Sequence, residues 1–82
     1  MKNSSLAKAL AQVIRARREK FGLSQAELAK KAGVSASYIQ RLEYAERTLT
    51  LAVFLDLTTA LDADPAELLQ ETLRLRAALG GS

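Results

Sequence analysis

Two of the side chains that proteins use most for chemistry are missing from this 82-residue chain, which has no histidine and no cysteine. Without them there is no imidazole general base, no thiolate nucleophile, no disulfide framework and no thiolate metal site. The acids offer little in their place. Asp62, Asp64 and Glu67 lie close together, but Asp64 and Glu67 have the spacing of a helix cap and its capping-box partner. A short helical chain also has little room for the shaped pocket that a carboxylate mechanism needs. No catalytic residue, metal ion or cofactor is therefore expected, and the chain reads as something other than an enzyme.

Side chains suited to a polyanion are more numerous and unevenly spread. Residues 1–47 hold ten cations against four acids, whereas residues 48–82 hold two against five. The net charge of +3 is modest, but a basic half joined to a mildly acidic half suggests that one face meets a polyanion while the other does something else. Within the basic half, Arg41 has the forked guanidinium that pairs with O6 and N7 of a guanine, the commonest specific contact to a base edge. Gln40 beside it can reach a base or a phosphate. Ala36 and Ser37, one turn earlier, are small enough to let the backbone approach a groove.

Those residues need a helix to hold them, and the pattern of the chain supplies one. One proline and four glycines interrupt the sequence, and no run alternates apolar and polar residues as an exposed strand would. The reading is all-α with five helices in a single domain, 1–82. Helix one spans Ser5 to Lys20, with Leu6, Leu10, Val13, Ile14 and Phe21 as its apolar stripe and Gly22 as its left-handed terminator. Helix two opens on the capping box Ser24 and Glu27 and ends near Ala32. Gly33 suits a positive φ, and Ser35 caps a third helix running to Glu43 or Tyr44. On a helical wheel Ile39 and Leu42 face the core, while Ser37, Gln40, Arg41 and Tyr44 face the other way. Helix four follows Thr50 and continues to Leu61, with Leu51, Phe54, Leu57 and Leu61 turned inward. Asp64, Pro65 and Glu67 start helix five, which ends between Leu73 and Leu79. Gly80, Gly81 and Ser82 bring no core-forming residue and are expected to be a mobile tail.

Two short helices joined by a three-residue turn, the second presenting a small and polar face, form a helix-turn-helix that fits a major groove about 12 Å wide. The segments Ser24-Gln25-Ala26-Glu27-Leu28-Ala29, Ala32-Gly33-Val34-Ser35 and Tyr38-Ile39-Gln40-Arg41-Leu42-Glu43 resemble the helix-turn-helix of the Cro and phage-repressor family, also called the xenobiotic-response-element family. The resemblance extends from about Leu6 to Leu69 and implies a five-helix, lambda-repressor-like DNA-binding domain. The short chain, its five helices and the segment Arg47-Thr48-Leu49-Thr50 are similar to the controller proteins of restriction-modification systems.

The resemblance also implies roles at matched positions. Ala36, Ser37 and Arg41, with Gln40, stand where this family reads bases. Ala36 is smaller than the residue usually found there, which points it at a thymine methyl. Gln25 matches a glutamine that touches a phosphate beside the free amides of helix two. Arg17, Ser24, Ser35, Tyr38, Tyr44 and Arg47 complete the expected contacts to the DNA backbone. Glu43 matches an acid that pairs with an arginine of helix one, here Arg18, in a structural ion pair.

The apolar residues of helix five exceed the needs of one small core. Leu68, Leu69, Leu73, Leu75 and Leu79 cover more than one face, and Val53 and Leu55 add to the surplus. Apolar surface of this kind usually marks an interface, most simply an isologous two-fold dimer, here assigned to Val53, Leu55, Leu69, Thr72, Leu73 and Arg76. A dimer would set two recognition helices about 34 Å apart on a palindromic operator. The expectation is a homodimeric transcriptional regulator of double-stranded DNA, with control of a restriction-modification operon as the narrower reading and RNA polymerase as a candidate further partner. The rival is a protein-interaction module, an antitoxin-like helical domain that docks a protein partner. The polar start, Met1 to Ser5, leads into no apolar leader, and no stretch approaches the roughly 18 apolar residues that would span a membrane. The expected location is the bacterial or phage-infected cytoplasm, at the nucleoid.

Overall fold

In the computed structural model, which describes residues 4–80, five helices follow one another without a strand among the described residues. They are α1 (Ser5–Lys20), α2 (Gln25–Ala32), α3 (Ala36–Glu43), α4 (Leu51–Ala60) and α5 (Pro65–Ala78). Each begins at a side-chain oxygen that accepts a first-turn amide. Ser4 accepts from Ala7, Ser24 from Glu27, Ser35 from Tyr38, Thr50 from Val53, and Asp64 from Ala66 and Glu67. These caps satisfy amides that have no carbonyl upstream. At Ser24 the box is reciprocal, since the Glu27 carboxylate accepts the Ser24 amide at 2.8 Å. That bond, with the Ser24 hydroxyl, holds the Glu27 carboxyl below its ordinary pKa.

The first four helices also share one way of ending. An amide five residues along bonds back to the last turn: Leu23 to the Arg18 carbonyl, Val34 to Ala29, Glu46 to Arg41 and Ala63 to Thr58, all between 2.8 and 3.1 Å. Each reversal needs a left-handed residue, supplied by Gly22, Gly33, Ala45 and Asp62 at φ values of 79°, 75°, 59° and 51°. A Cβ in that region costs roughly 1–2 kcal/mol. For Ala45 the cost is offset by burial, because its methyl packs with Ala7 and Ala11 of α1 in a small second cluster. Asp62 is exposed and has no such return.

The main core draws Leu10, Val13 and Ile14 from α1, Leu28 from α2, Ile39 and Leu42 from α3, Phe54 and Leu57 from α4, and Leu68 from α5. α1 is the central element, packing on α5 along one side and on α3 along the other, while α2 lies between α3 and α4. Several inward assignments change. Phe21 caps α1 and turns out to solvent at 48% exposure, and Leu51, the first residue of α4, is 72% exposed. Periodicity cannot place either residue, because at a helix terminus there is no neighbouring turn to pack beneath it. Leu6 is half-buried. Thr72, assigned to a dimer surface, is instead fully buried, and its hydroxyl donates to the Leu68 carbonyl at 2.9 Å. Val53 is half-buried against the core and does not stand out beside Leu55. Of the expected tail, Gly81 and Ser82 lie outside the described residues, and Gly80 takes φ +116°. No helix among the described residues is long and apolar enough to cross a membrane.

These helix ends make opposite predictions at two positions. A Cβ built at Gly33 meets nothing within 4 Å, so Gly33→Ala should cost about 1 kcal/mol through backbone strain alone. Asp62→Gly should raise stability by a similar amount, since it relieves the strain without removing packing. Urea denaturation midpoints of the two variants, moving in opposite directions from the parent, are the check.

Candidate nucleic-acid interface

α3 is fixed from beneath and open above. Ile39 and Leu42 are completely buried, while Ala36, Ser37, Gln40, Arg41 and Tyr44 are exposed along the opposite side. The turn from Gly33 to Ser35 sets the start of α3 against α2, and the Ser35 hydroxyl accepts the Tyr38 amide at 3.0 Å. A helix presented in this way offers a convex edge with small side chains first and a long cation one turn later.

The foot of α3 is held by charge. Glu43 has only 2% of its side chain exposed, and Arg18 of α1 meets it in a two-bond fork. Arg18 Nε donates to Oε2 at 2.6 Å and Nη2 donates to Oε1 at 3.0 Å. The remaining terminal nitrogen, Nη1, donates to the Leu23 carbonyl at 2.8 Å in the α1–α2 turn. Gln25 closes the set, its Nε2 donating to Glu43 Oε1 at 3.0 Å. The carboxylate therefore has three donors, and its charge is neutralised before any phosphate approaches. The Glu43 hydrogen bond is the main reason the Arg18 guanidinium is held above its ordinary pKa, with burial opposing and the charges of Glu43 and Glu19 assisting. Bidentate, charge-assisted pairs are the strong class of side-chain bond.

Gln25 thus has two neighbours to serve. One of its N–H groups is spent on Glu43, and the other lies at the start of α2, where the amides of Gln25 and Ala26 have no intrahelical acceptor. Such a helix start favours an anion through its aligned dipoles. Ser24 stands at the same end as cap.

Beyond α3, the Arg47 guanidinium lies over the Tyr38 ring, 4.5 Å from its centre. This cation–π contact holds a charge on the flank of α3 rather than letting it sweep through solvent. Arg17 is placed differently from its expected role at the DNA backbone. Its Nε donates to Glu71 Oε1 at 3.3 Å, which ties α1 to α5. A guanidinium engaged on that side stands beside α5 rather than α3. Sequence reasoning did not identify the Gln25–Glu43 bond, the Leu23 carbonyl as an acceptor or the Arg47–Tyr38 stack. Only the last left a signal, an arginine and a tyrosine on adjoining segments. Among the described residues no three acids come together as a metal site would require.

Comparison with known proteins gives a consistent picture. The family profile described as Helix-turn-helix matches residues 14–68, more than half of the chain. The fold is similar to the restriction-modification controller protein C.AhdI from Aeromonas hydrophila, with a TM-score of 0.73, 39% identity, and coverage of 76% of this chain and 94% of that one. It is also similar to the clp gene regulator ClgR from Corynebacterium glutamicum, with a TM-score of 0.84, 28% identity, and coverage of 90% of this chain and 79% of that one. The wild-type restriction-modification controller protein C.Esp1396I, at 23% identity, a TM-score of 0.79 and coverage of 85% and 92%, shares the fold. No curated protein matches the chain in sequence.

Removing one member of the buried network should be severe. Arg18→Met leaves Glu43 buried without its cation and should cost about 3–5 kcal/mol. Adding Glu43→Met in the same chain should recover most of that loss. A denaturation cycle over the two single variants and the double variant measures the coupling, and additive losses would show that the pair is not energetically linked.

Proposed function

Because the chain belongs to the helix-turn-helix family of DNA-binding transcriptional regulators, we propose that it occupies a palindromic operator as a homodimer and reads each half-site with α3. The observation that carries this reading is the exposed edge of Ala36, Ser37, Gln40 and Arg41 on a helix whose foot is fixed by Arg18 and Glu43. In the bound state α3 lies in the major groove. Arg41 pairs with a guanine, Ser37 and Gln40 reach base edges or the adjoining phosphate, and Ala36 meets a thymine methyl. Gln25, with the first amides of α2 and the caps Ser24 and Ser35, takes a phosphate. Tyr38, Tyr44 and the stacked Arg47 take the backbone on the far side of α3. These contacts set the register, and the bases supply the specificity.

The dimer reading rests on exposed leucines. Leu55, Leu69 and Leu73 are each at least 40% exposed. Leu69, Leu73 and Arg76 follow one another at four and three residues along α5, a stripe distinct from the inward side of Leu68, Thr72 and Leu75. The Arg76 Nε is buried with no hydrogen-bond partner among the described residues. Two copies joined here would carry two reading helices about one DNA turn apart. The likeness to C.AhdI, a restriction-modification controller protein, supports control of such an operon as the narrower role. A protein that works at a promoter in this way acts at the nucleoid and meets RNA polymerase there.

Arg41→Ala should lower affinity by roughly 1–3 kcal/mol at the operator and relax preference at one base pair of each half-site, while Gln25→Ala weakens specific and random duplexes alike. Equal losses on both duplexes for Arg41→Ala would reassign that residue to a phosphate. Sites selected from random DNA should show two inverted half-sites, and binding should fall steeply with salt. Negligible affinity for every duplex at low salt would instead favour a module that docks a protein. Leu73→Asp should sediment as a monomer at concentrations where the parent chain is dimeric.

A further inference from the structure

Arg18 alone neutralises Glu43, with one nitrogen on each carboxylate oxygen. A further donor, Gln25 Nε2 on Oε1 at 3.0 Å, joins the first residue of α2 to the last of α3. Its consequence is larger for the glutamine than for the acid.

A glutamine amide has two unlike ends, since its nitrogen donates and its carbonyl oxygen only accepts. A phosphate also only accepts, so one end of the amide binds it and the other repels it. The two ends are nearly equal in size, and packing cannot choose between them. A carboxylate can. Glu43 accepts only, and with 2% of its side chain exposed it is a fixed acceptor that the nitrogen alone can face. One Nε2 hydrogen is then committed to Glu43, and its twin points elsewhere in the amide plane. Among the described residues neither that second hydrogen nor the carbonyl oxygen of Gln25 has a partner.

An acid one amide away from a phosphate would ordinarily oppose its binding. Arg18 removes that objection, because its fork cancels the Glu43 charge on the spot. The other acid at the start of α2, Glu27, is turned to a different task, its carboxylate accepting the Ser24 amide at 2.8 Å.

We propose that Glu43 is a positioning residue for the DNA backbone: through its bond to Nε2 it fixes the polarity of the Gln25 amide, so that an N–H and not the carbonyl oxygen meets the phosphate. The nitrogen of Gln25 then bridges two acceptors, one inside the protein and one on the DNA. Part of the ordering that binding requires is complete before the duplex arrives. The proposal rests on the reading of Gln25 as a phosphate contact and adds what orients it.

The test uses the full chain with Gln25→Ala, Gln25→Lys and Glu43→Gln, and with each change at position 25 placed in the Glu43→Gln background. Glu43→Gln keeps an acceptor for Arg18 in its carbonyl oxygen but gives Gln25 a partner that can present either end. Circular dichroism checks that each variant is folded at the assay temperature. In the parent chain Gln25→Ala should weaken binding to a mixed-sequence duplex about tenfold or more, the worth of a hydrogen bond to a charged group. In the Glu43→Gln background the same change should cost about twofold or less, because the orientation it depends on is already lost. The Gln25→Lys chain, whose ammonium donates whichever way it turns, should lose no affinity when Glu43→Gln is added. A loss there as large as in the chain that retains Gln25 would show that Glu43 acts only by holding α3, and it overturns the proposal. So does an undiminished Gln25→Ala effect beside Glu43→Gln. Nitrogen-edited NMR of the parent chain gives a second measure that leaves Glu43 in place. The two Nε2 protons of Gln25, assigned by their absence in Gln25→Ala, should respond unequally to the duplex, the one on Glu43 staying and its twin shifting. Movement of both means that the bond breaks on binding and likewise overturns the proposal. A parent chain that binds DNA but is indifferent to Gln25→Ala removes the phosphate reading of Gln25 itself.

Discussion

The buried fork between Arg18 and Glu43 is the constraint around which the proposed reading surface is arranged. Three helices and one turn converge on two side chains. Arg18 leaves the last turn of α1, reaches the α1–α2 turn at Leu23, and grips the last residue of α3, which the side-chain amide of Gln25 holds from the start of α2. A charge pair taken out of water is a poor source of net stability, but it is demanding about geometry, because a planar guanidinium and a planar carboxylate fit in few orientations. An apolar contact at the same place would tolerate sliding and rotation of α3. The pair exchanges some stability for a defined direction of the helix.

The same pair also resolves an electrostatic conflict. An acid at the end of a helix aimed at phosphates would repel them. Buried and bonded three ways, Glu43 contributes orientation while its field is cancelled locally. The cations left outside, among them Arg41 and the stacked Arg47, then act on a surface from which the Glu43 charge is withdrawn, with Glu46 the acid left exposed at the foot of α3. Arg17 shows how narrowly these roles are divided, since one residue before Arg18 the same side chain type joins α1 to α5 instead.

The parts of the fold legible in the sequence are those whose signals are local. Starts of helices were legible because Ser24, Ser35, Thr50 and Asp64 bond within three residues of themselves; Ser24, Ser35 and Asp64 cap as read, and Thr50 caps the helix read as starting after it. The ends at Gly22 and Gly33 were legible for the same reason. The ends at Ala45 and Asp62 were not marked by a glycine, and their left-handed conformations are imposed by packing or by the turn itself. The buried sides of α1 and α3 followed from their periodicity, whereas Phe21 and Leu51 did not, since a terminal residue has core on only one side of it. The exposure of Arg41, Gln40 and Ser37 could be read from the wheel of α3. The Gln25 bond to Glu43 and the capture of Arg17 by Glu71 depend on residues 18 and 54 positions away, and such distances carry no pattern in one sequence. Thr72 was misassigned because a threonine on a leucine-rich helix looks amphipathic until its hydroxyl is seen bonded to its own backbone.

The seam of Ala7, Ala11 and Ala45 bears on how the chain can vary over time. Three methyls share one small volume between α1 and the end of α3, so an enlargement at any of them must be accommodated by the other two, which have almost nothing to give. Position 45 is further confined by its left-handed backbone, which excludes β-branched residues and leaves glycine as the easy alternative. Some of the smallest side chains in the protein are therefore among its least replaceable. Drift at this seam should proceed by paired changes, while the larger exposed leucines stay free to change singly as far as folding is concerned.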